Sequence, residues 1–226
     1  MAEWLLGADE AGRGSLVGEM IVAVAAVPRG LIPRLREMGV RDSKKLTPQA
    51  RAQLYRELAS MTPFAVTPVR PAEIDSENLT ILTEKAIASA VERLLPRIGG
   101  PSGVARIVID RYGRQLKLGI LLRRLGYKGP LIVEEKADDR YVEVSAASII
   151  AKHVRDARIR VLSSLYGVRG SGYPSDERTV EWVLEAISRG ERPPIIRYSW
   201  GTLEGTGLRV KKKPSGKPVV TLDDFF

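Results

Sequence analysis

Several acids in this chain stand where carboxylates are expensive. Leu5-Leu6-Gly7-Ala8-Asp9-Glu10 is an apolar run that ends in two adjacent carboxylates, and Arg106-Ile-Val-Ile-Asp110 repeats the pattern with one. A further apolar run, Leu131-Ile-Val-Glu134, leads into Glu135-Lys-Ala-Asp138-Asp139. A carboxylate at the end of a buried strand is costly unless something positive compensates it. The compensators on offer near Asp9 and Glu10 are Arg13 and a hard divalent cation, which prefers oxygen ligands. Side chains alternate faces along a regular strand, so Asp9 and Glu10 reach one site only if the strand ends or distorts at Glu10. Gly12 and Gly14 supply the freedom for such a break. They also let backbone amides come close to a phosphate or a sugar.

The elements that must position these acids can be read from pattern and punctuation. Met20-Ile-Val-Ala-Val-Ala-Ala-Val27 is a second buried strand stopped by Pro28, and Phe64 to Val69 suits a third, so the first half is expected to form an antiparallel meander. Thr47-Pro48 reads as an N-cap with Pro at the first helical position, opening a helix to about Ala59. Asn78 caps a second helix from Leu79 to about Leu95, with Ile87, Val91 and Leu94 on one face. Gln115 to Leu125 is a helix closed by Gly126. Ser145 is expected to cap a long helix to about Leu162, with Ala147, Ile150, Val154 and Ala157 as its inner stripe. Gly170-Ser-Gly-Tyr-Pro-Ser175 opens a last helix that stops at Gly190. Strands, then strand–helix alternation, then helices fit an α/β core with a helical C-terminal portion.

Bulk composition narrows the partners. In 226 residues, 36 Lys and Arg against 27 Asp and Glu leave a formal charge of +9, which favours a polyanionic partner, nucleic acid before membrane. Composition alone suits a ribosomal or other basic protein equally well. With no Cys and one His, disulfides, thiolate sites and His-based zinc sites are excluded. No signal-peptide layout opens the chain and no apolar run is long enough for a bilayer, so a cytoplasmic protein is expected. Arg209-Val-Lys-Lys-Lys-Pro-Ser-Gly-Lys217 reads as a flexible basic linker, followed by Val219-Val-Thr-Leu222-Asp-Asp-Phe225-Phe226. A linker of that kind argues for a tethered peptide that docks on a partner.

Taken in order, these segments resemble a type 2 ribonuclease H of the single-subunit, archaeal kind, over nearly the whole chain. Asp9-Glu10-Ala-Gly12-Arg13-Gly14 is similar to the family's first motif and Asp42-Ser43-Lys44-Lys45-Leu46 to its second. Asp110 resembles its central acid, and Lys136-Ala-Asp138 with Val144-Ser-Ala-Ala-Ser-Ile-Ile-Ala-Lys152 its fourth motif. Gly170-Ser-Gly-Tyr173-Pro-Ser-Asp176 and Ser199-Trp-Gly-Thr202 complete an ordered set that chance does not explain.

The resemblance implies a ribonuclease H-like mixed five-stranded sheet flanked by helices. It implies an endonuclease that hydrolyses the RNA strand of RNA–DNA hybrids. Duplex DNA would be cut on the 5′ side of a single embedded ribonucleotide, leaving 3′-OH and 5′-phosphate ends. The metal-binding and catalytic acids would be Asp9, Glu10, Asp110 and Asp138, with Asp139 the weaker candidate because Asp138 follows Lys-Ala. Two ions, Mg²⁺ or Mn²⁺, would sit there. The residue types agree independently, because in-line phosphodiester hydrolysis needs an activated water and charge relief on the leaving oxygen, which two divalent ions roughly 3.5–4 Å apart supply. Neither His nor Cys is needed, and the lone His153 is expected to be a plain helix residue.

Choosing RNA requires sensing the 2′-hydroxyl. The resemblance assigns that to the backbone of Gly12, Arg13 and Gly14 with Tyr173, and assigns phosphate contacts to Ser43 and Lys44. Val219, Leu222, Phe225 and Phe226 resemble the sliding-clamp-binding peptide of replication proteins, with Val where Gln is usual. A catalytic core at 1–165, a helical portion at 166–208 and a linker with clamp peptide at 209–226 are therefore expected, in a monomer. A non-catalytic hybrid-binding protein could use the same basic surface, but four acids at those positions would repel its phosphates.

Overall fold

The chain is described here by a computed structural model covering residues 3–40, 46–113 and 117–203. Its centre is a five-stranded sheet whose middle strand carries the first acidic pair. Strand β1 (Trp4–Ala11) pairs antiparallel with β2 (Met20–Pro28), and β2 pairs antiparallel with β3 (Phe64–Val69). On the other side β1 runs parallel to β4 (Val104–Asp110), which runs parallel to β5 (Leu131–Glu134). The order is β3-β2-β1-β4-β5, so the meander and the mixed sheet are as expected.

Both faces of the sheet are covered, which is why β1 and β2 read as unbroken apolar runs rather than alternating ones. On one face Leu6, Ala8, Met20, Val22 and Val24 meet helix α4 (Leu79–Leu94) through Ile87, Val91 and Leu94. On the other, Ala11, Ile21, Ala23 and Ala25 meet the 25-residue helix α6 (Val142–Tyr166) through Ala146, Ala147 and Ile150. Small residues on both sides of that second contact let α6 lie close to the sheet. At Gly7 the approach is so close that a Cβ would sit 2.1 Å from the Glu143 carbonyl carbon. Helices α1 (Ile32–Glu37) and α2 (Pro48–Met61) back α6, while α5 (Leu118–Arg124) joins the α4 side.

The expected caps of α2 and α4 are present. Thr47 Oγ1 accepts from the Ala50 amide at 3.2 Å, and Asn78 Oδ1 accepts from the Thr80 amide at 2.8 Å. Ser145 is not a cap. Helix α6 begins three residues earlier, after Tyr141, and the Ser145 hydroxyl donates to the Val40 carbonyl. The added turn buries Val142 and Val144, and it pairs buried Glu143 with Arg106 at 2.7 Å, gains that outweigh an exposed cap. The inner stripe also differs, because Val154 and Ala157 are only half-buried while Arg155 is buried between them. The short helices α1 and α3 (Pro71–Ser76) had no clear pattern in sequence.

After α6 the chain returns through residues 167–176 to helix α7 (Glu177–Ser188) and a final segment to Leu203. Trp182, Val183, Ile195, Ile196 and Leu203 pack on Leu16 and Val17, just past the Gly12–Gly14 loop, where Val17 and Ile196 also form a bridge. The C-terminal portion therefore buttresses the same loop that follows the first acids.

Candidate active site

Strand β1 does not end or distort at Glu10. Its register with β2 continues unbroken from Asp9 opposite Ala23 to Ala11 opposite Ile21, so the two carboxylates leave opposite faces. They share a neighbourhood because β4 stops first. The last paired residues of β1 and β4 are Ala8 and Ile109, which puts Asp110 beside the first acids at the open C-terminal edge of β4. The Ala137 amide donates to Asp110 Oδ1 at 2.8 Å, tying the short turn Ala137–Asp139 to the end of β4. Lys136, at φ 55° the single non-glycine residue in left-handed backbone among the described residues, immediately precedes that turn, which carries Asp138. Asp138 is buried and Asp139 exposed.

Burial dominates the electrostatics. It pushes the Asp9 carboxyl up to about 6, against the opposing help of Ser148, the Glu10 amide at 2.8 Å and the Lys152 charge. The Ser148 hydroxyl is buried and, among the described residues, meets strict hydrogen-bonding geometry with no partner. Glu10 is pushed up to about 8, first by burial and then by the Asp9 charge, with Asp110 adding to both; Arg13, 3.8 Å away, relieves only part. Among the described residues no three acids close into a ready-made metal cage. Mutually repelling, oxygen-only donors in a buried corner nonetheless fit a hard divalent cation that keeps several waters and needs few protein ligands.

The loop after β1 is held from beneath. Gly12 is left-handed at φ 79°, and the fully buried Arg197 donates Nη2 to the Gly12 carbonyl at 2.7 Å, Nη1 to the Arg13 carbonyl at 2.9 Å and Nε to the Gly18 carbonyl at 3.0 Å. Burial and the nearby Arg155 charge push the Arg197 guanidinium down to about 9. Trp200 covers it with ring centroid 5.1 Å from Cζ and donates Nε1 to the Gly14 carbonyl at 3.4 Å. Arg155 bridges the loop to the Tyr173 segment: Nη2 donates to Ser15 Oγ at 3.1 Å and to the Ser171 carbonyl, and Cζ lies 4.4 Å from the Tyr173 ring centroid. Leu16 and Val17 amides both donate to the Gly172 carbonyl, at 2.8 and 3.1 Å. These contacts tie the segment carrying Tyr173 to the chain just after Gly12, Arg13 and Gly14, the loop that follows Asp9 and Glu10. Ser43, Lys44, Val219, Leu222, Phe225 and Phe226 lie outside the described residues.

This arrangement has close relatives. Residues 6–203 match the family model of Ribonuclease HII. The chain is 49% identical over 223 residues to the Ribonuclease HII of Aeropyrum pernix, covering 98% of each. It belongs to the ribonuclease HII family. Among solved structures, the ribonuclease H2 of Pyrococcus horikoshii OT3 superposes with a TM-score of 0.79 at 39% identity, over 90% of this chain and 96% of that one. The PCNA:RNase HII complex from Archaeoglobus fulgidus gives 0.76 at 32% identity, over 98% of this chain and 100% of that one.

A ribonuclease HII is a metal-dependent endoribonuclease that cleaves RNA in RNA–DNA hybrids, and the fold agrees with the ribonuclease H-like architecture the resemblance implied. Sequence reading quoted Ser148 and Lys152 within the fourth motif without a role beside Asp9, and it gave no role to Arg155 and Arg197 under the loop or to Asp75 behind them. Asp75 accepts the Tyr198 and Ser199 amides at 2.9 Å each. Tyr112 was also missed; it is buried, with its ring 5.5 Å from the Arg13 guanidinium, and Arg13 donates to Thr83 Oγ1 at 3.0 Å. An Arg two residues before Ser199-Trp-Gly was the available signal for Arg197, yet carbonyl acceptors leave no trace in a sequence. His153 lies within α6, the helix position expected of it, and stacks on Tyr55 with centroids 4.0 Å apart.

Proposed function

We propose that this chain cuts the RNA strand of hybrids and also nicks duplex DNA on the 5′ side of a single embedded ribonucleotide, leaving 3′-OH and 5′-phosphate ends. Asp9, Glu10, Asp110 and Asp138 would hold two divalent ions, Mg²⁺ or Mn²⁺. When bound, such ions supply an activated water and neutralise charge on the leaving oxygen. The carrying observation is the shared corner of Asp9, Glu10 and Asp110, where burial and mutual repulsion push Glu10 up to about 8.

The chain's own residues do the rest. Asp110 anchors the turn that presents Asp138. Lys152 and Arg13 temper the negative charge of the corner when phosphate approaches. Gly12, Arg13 and Gly14 meet the ribose through their backbone, with Tyr173 against the sugar, while Ser43 and Lys44 meet backbone phosphates. Val219, Leu222, Phe225 and Phe226 dock on a sliding clamp, a reading supported by the Archaeoglobus fulgidus complex with PCNA. The chain would act as a cytoplasmic monomer, with a core at 1–165, a helical portion at 166–208 and the clamp tail at 209–226. Among the described residues no helix is long and apolar enough to cross a membrane.

The deciding experiment uses duplex DNA with one internal ribonucleotide, incubated with Mg²⁺, Mn²⁺ or EDTA. A nick on the 5′ side that disappears in EDTA is expected. The near-isosteric Asp138→Asn should lower the rate by about 10³-fold or more while duplex binding survives; full activity in that variant would remove Asp138 from the site.

A further inference from the structure

We infer that Arg197 is the positioning residue that shapes the Gly12–Gly14 loop for ribose recognition, with Asp75 holding the segment that carries it. The inference rests on the reading that this loop senses the 2′-hydroxyl. In a trans peptide the carbonyl of one residue and the amide of the next point in opposite directions. Arg197 draws the Gly12 and Arg13 carbonyls inward at 2.7 and 2.9 Å, so the Arg13 and Gly14 amides are turned outward. Among the described residues neither amide donates to a backbone acceptor, and a Cβ at Gly14 would meet nothing within 4 Å. Two donors turned away from Arg197, three and four residues after Glu10, would form a site for a sugar oxygen.

The cost of this arrangement argues that it is selected for shape. A buried guanidinium usually pairs with a carboxylate, because an unpaired buried charge is penalised. Among the described residues Arg197 has three carbonyl acceptors, and Asp75 supplies charge relief through space rather than as a direct ion pair. A planar fork with donors in fixed directions holds three carbonyls in a way that a lysine ammonium cannot. Its own backbone is fixed too: the Arg197 amide donates to the Leu16 carbonyl at 2.9 Å, and Asp75 holds the next two amides. A chain of contacts therefore runs from α3 through residues 197–200 to the loop, ending on the surface that faces the ribose.

The test measures selectivity, which a purely structural role would not change. In the Asp138→Asn background, where cleavage is stopped, fluorescence anisotropy compares a duplex bearing one ribonucleotide with the all-DNA duplex of the same sequence. The parent should prefer the ribonucleotide. Arg197→Lys should lower that preference by about tenfold or more, the loss expected when donors no longer meet a hydroxyl, while all-DNA affinity stays within about twofold. Asp75→Asn keeps Arg197 and should shift the ratio in the same direction by a smaller factor; it carries the test if Arg197→Lys does not fold. A preference unchanged in the folded variants would overturn the role of Arg197 and leave the function standing. A parent with no preference would overturn ribose sensing by the loop, and this inference with it.

Discussion

Glu10 should destabilise the metal-free protein at the pH where the enzyme works, and neutralising it should reveal by how much. Burial and the Asp9 and Asp110 charges raise its carboxyl from 4.5 to about 8. In the unfolded chain the group loses its proton near 4.5, whereas the folded protein keeps it until about 8. The folded state therefore binds more protons across that window, and stability falls as pH rises through it, with the loss complete above the folded value. At about 1.4 kcal/mol per pH unit the full penalty is on the order of 5 kcal/mol, an upper bound because Asp9 shares part of the same repulsion. The 3.8 Å contact to Arg13 returns at most about 1 kcal/mol. Glu10→Gln should then raise the guanidinium-unfolding free energy in EDTA by a few kcal/mol at pH 9 and leave it nearly unchanged at pH 4. Adding Mg²⁺ should stabilise the wild type more than the variant, because only the wild type keeps the full donor set. Circular dichroism at the four combinations of pH and metal suffices. A variant equally stable or less stable than wild type at both pH values in EDTA would refute the reasoning.

Three further outcomes test other parts of the structure. Gly7→Ala should cost about 3 kcal/mol or more and loosen α6 from β1, since its Cβ would lie 2.1 Å from the Glu143 carbonyl carbon; a melting curve matching wild type would contradict that packing. Tyr112→Phe removes a buried hydroxyl that has no hydrogen-bond partner among the described residues, so stability should hold or rise by about 1 kcal/mol in chemical denaturation. A loss of more than about 1 kcal/mol would mean that the hydroxyl is satisfied in solution. Deleting Leu222 to Phe226 should abolish pulldown by a sliding clamp and leave cleavage of short hybrids intact, and unchanged pulldown would remove the tail from that role.

Much of the frame was legible because its causes are local. Continuous apolar runs marked β1 and β2, whose two faces are both covered, and the Thr47 and Asn78 caps opened α2 and α4 where expected. The start of α6 was misread for a tertiary reason. Ser145 has the side chain of a cap, but Glu143 finds Arg106, a residue 37 positions away, and the helix extends to reach it.

By itself the sequence determined which acids exist, that Asp9, Glu10 and Asp110 lie in the last residues of apolar strands, and that no Cys and only one His accompany them. Those properties belong to residue type and to patterns a few residues long. Tertiary structure decided which acids meet. Asp9 and Glu10 leave an undistorted strand on opposite faces, and they share a corner only because β4, about a hundred residues later, lies beside β1 and stops at Asp110. It also decided how the Gly12–Gly14 loop is held. Arg197 reaches Gly12 across 185 positions through carbonyl oxygens that every residue possesses, so no sequence pattern could have named its partners.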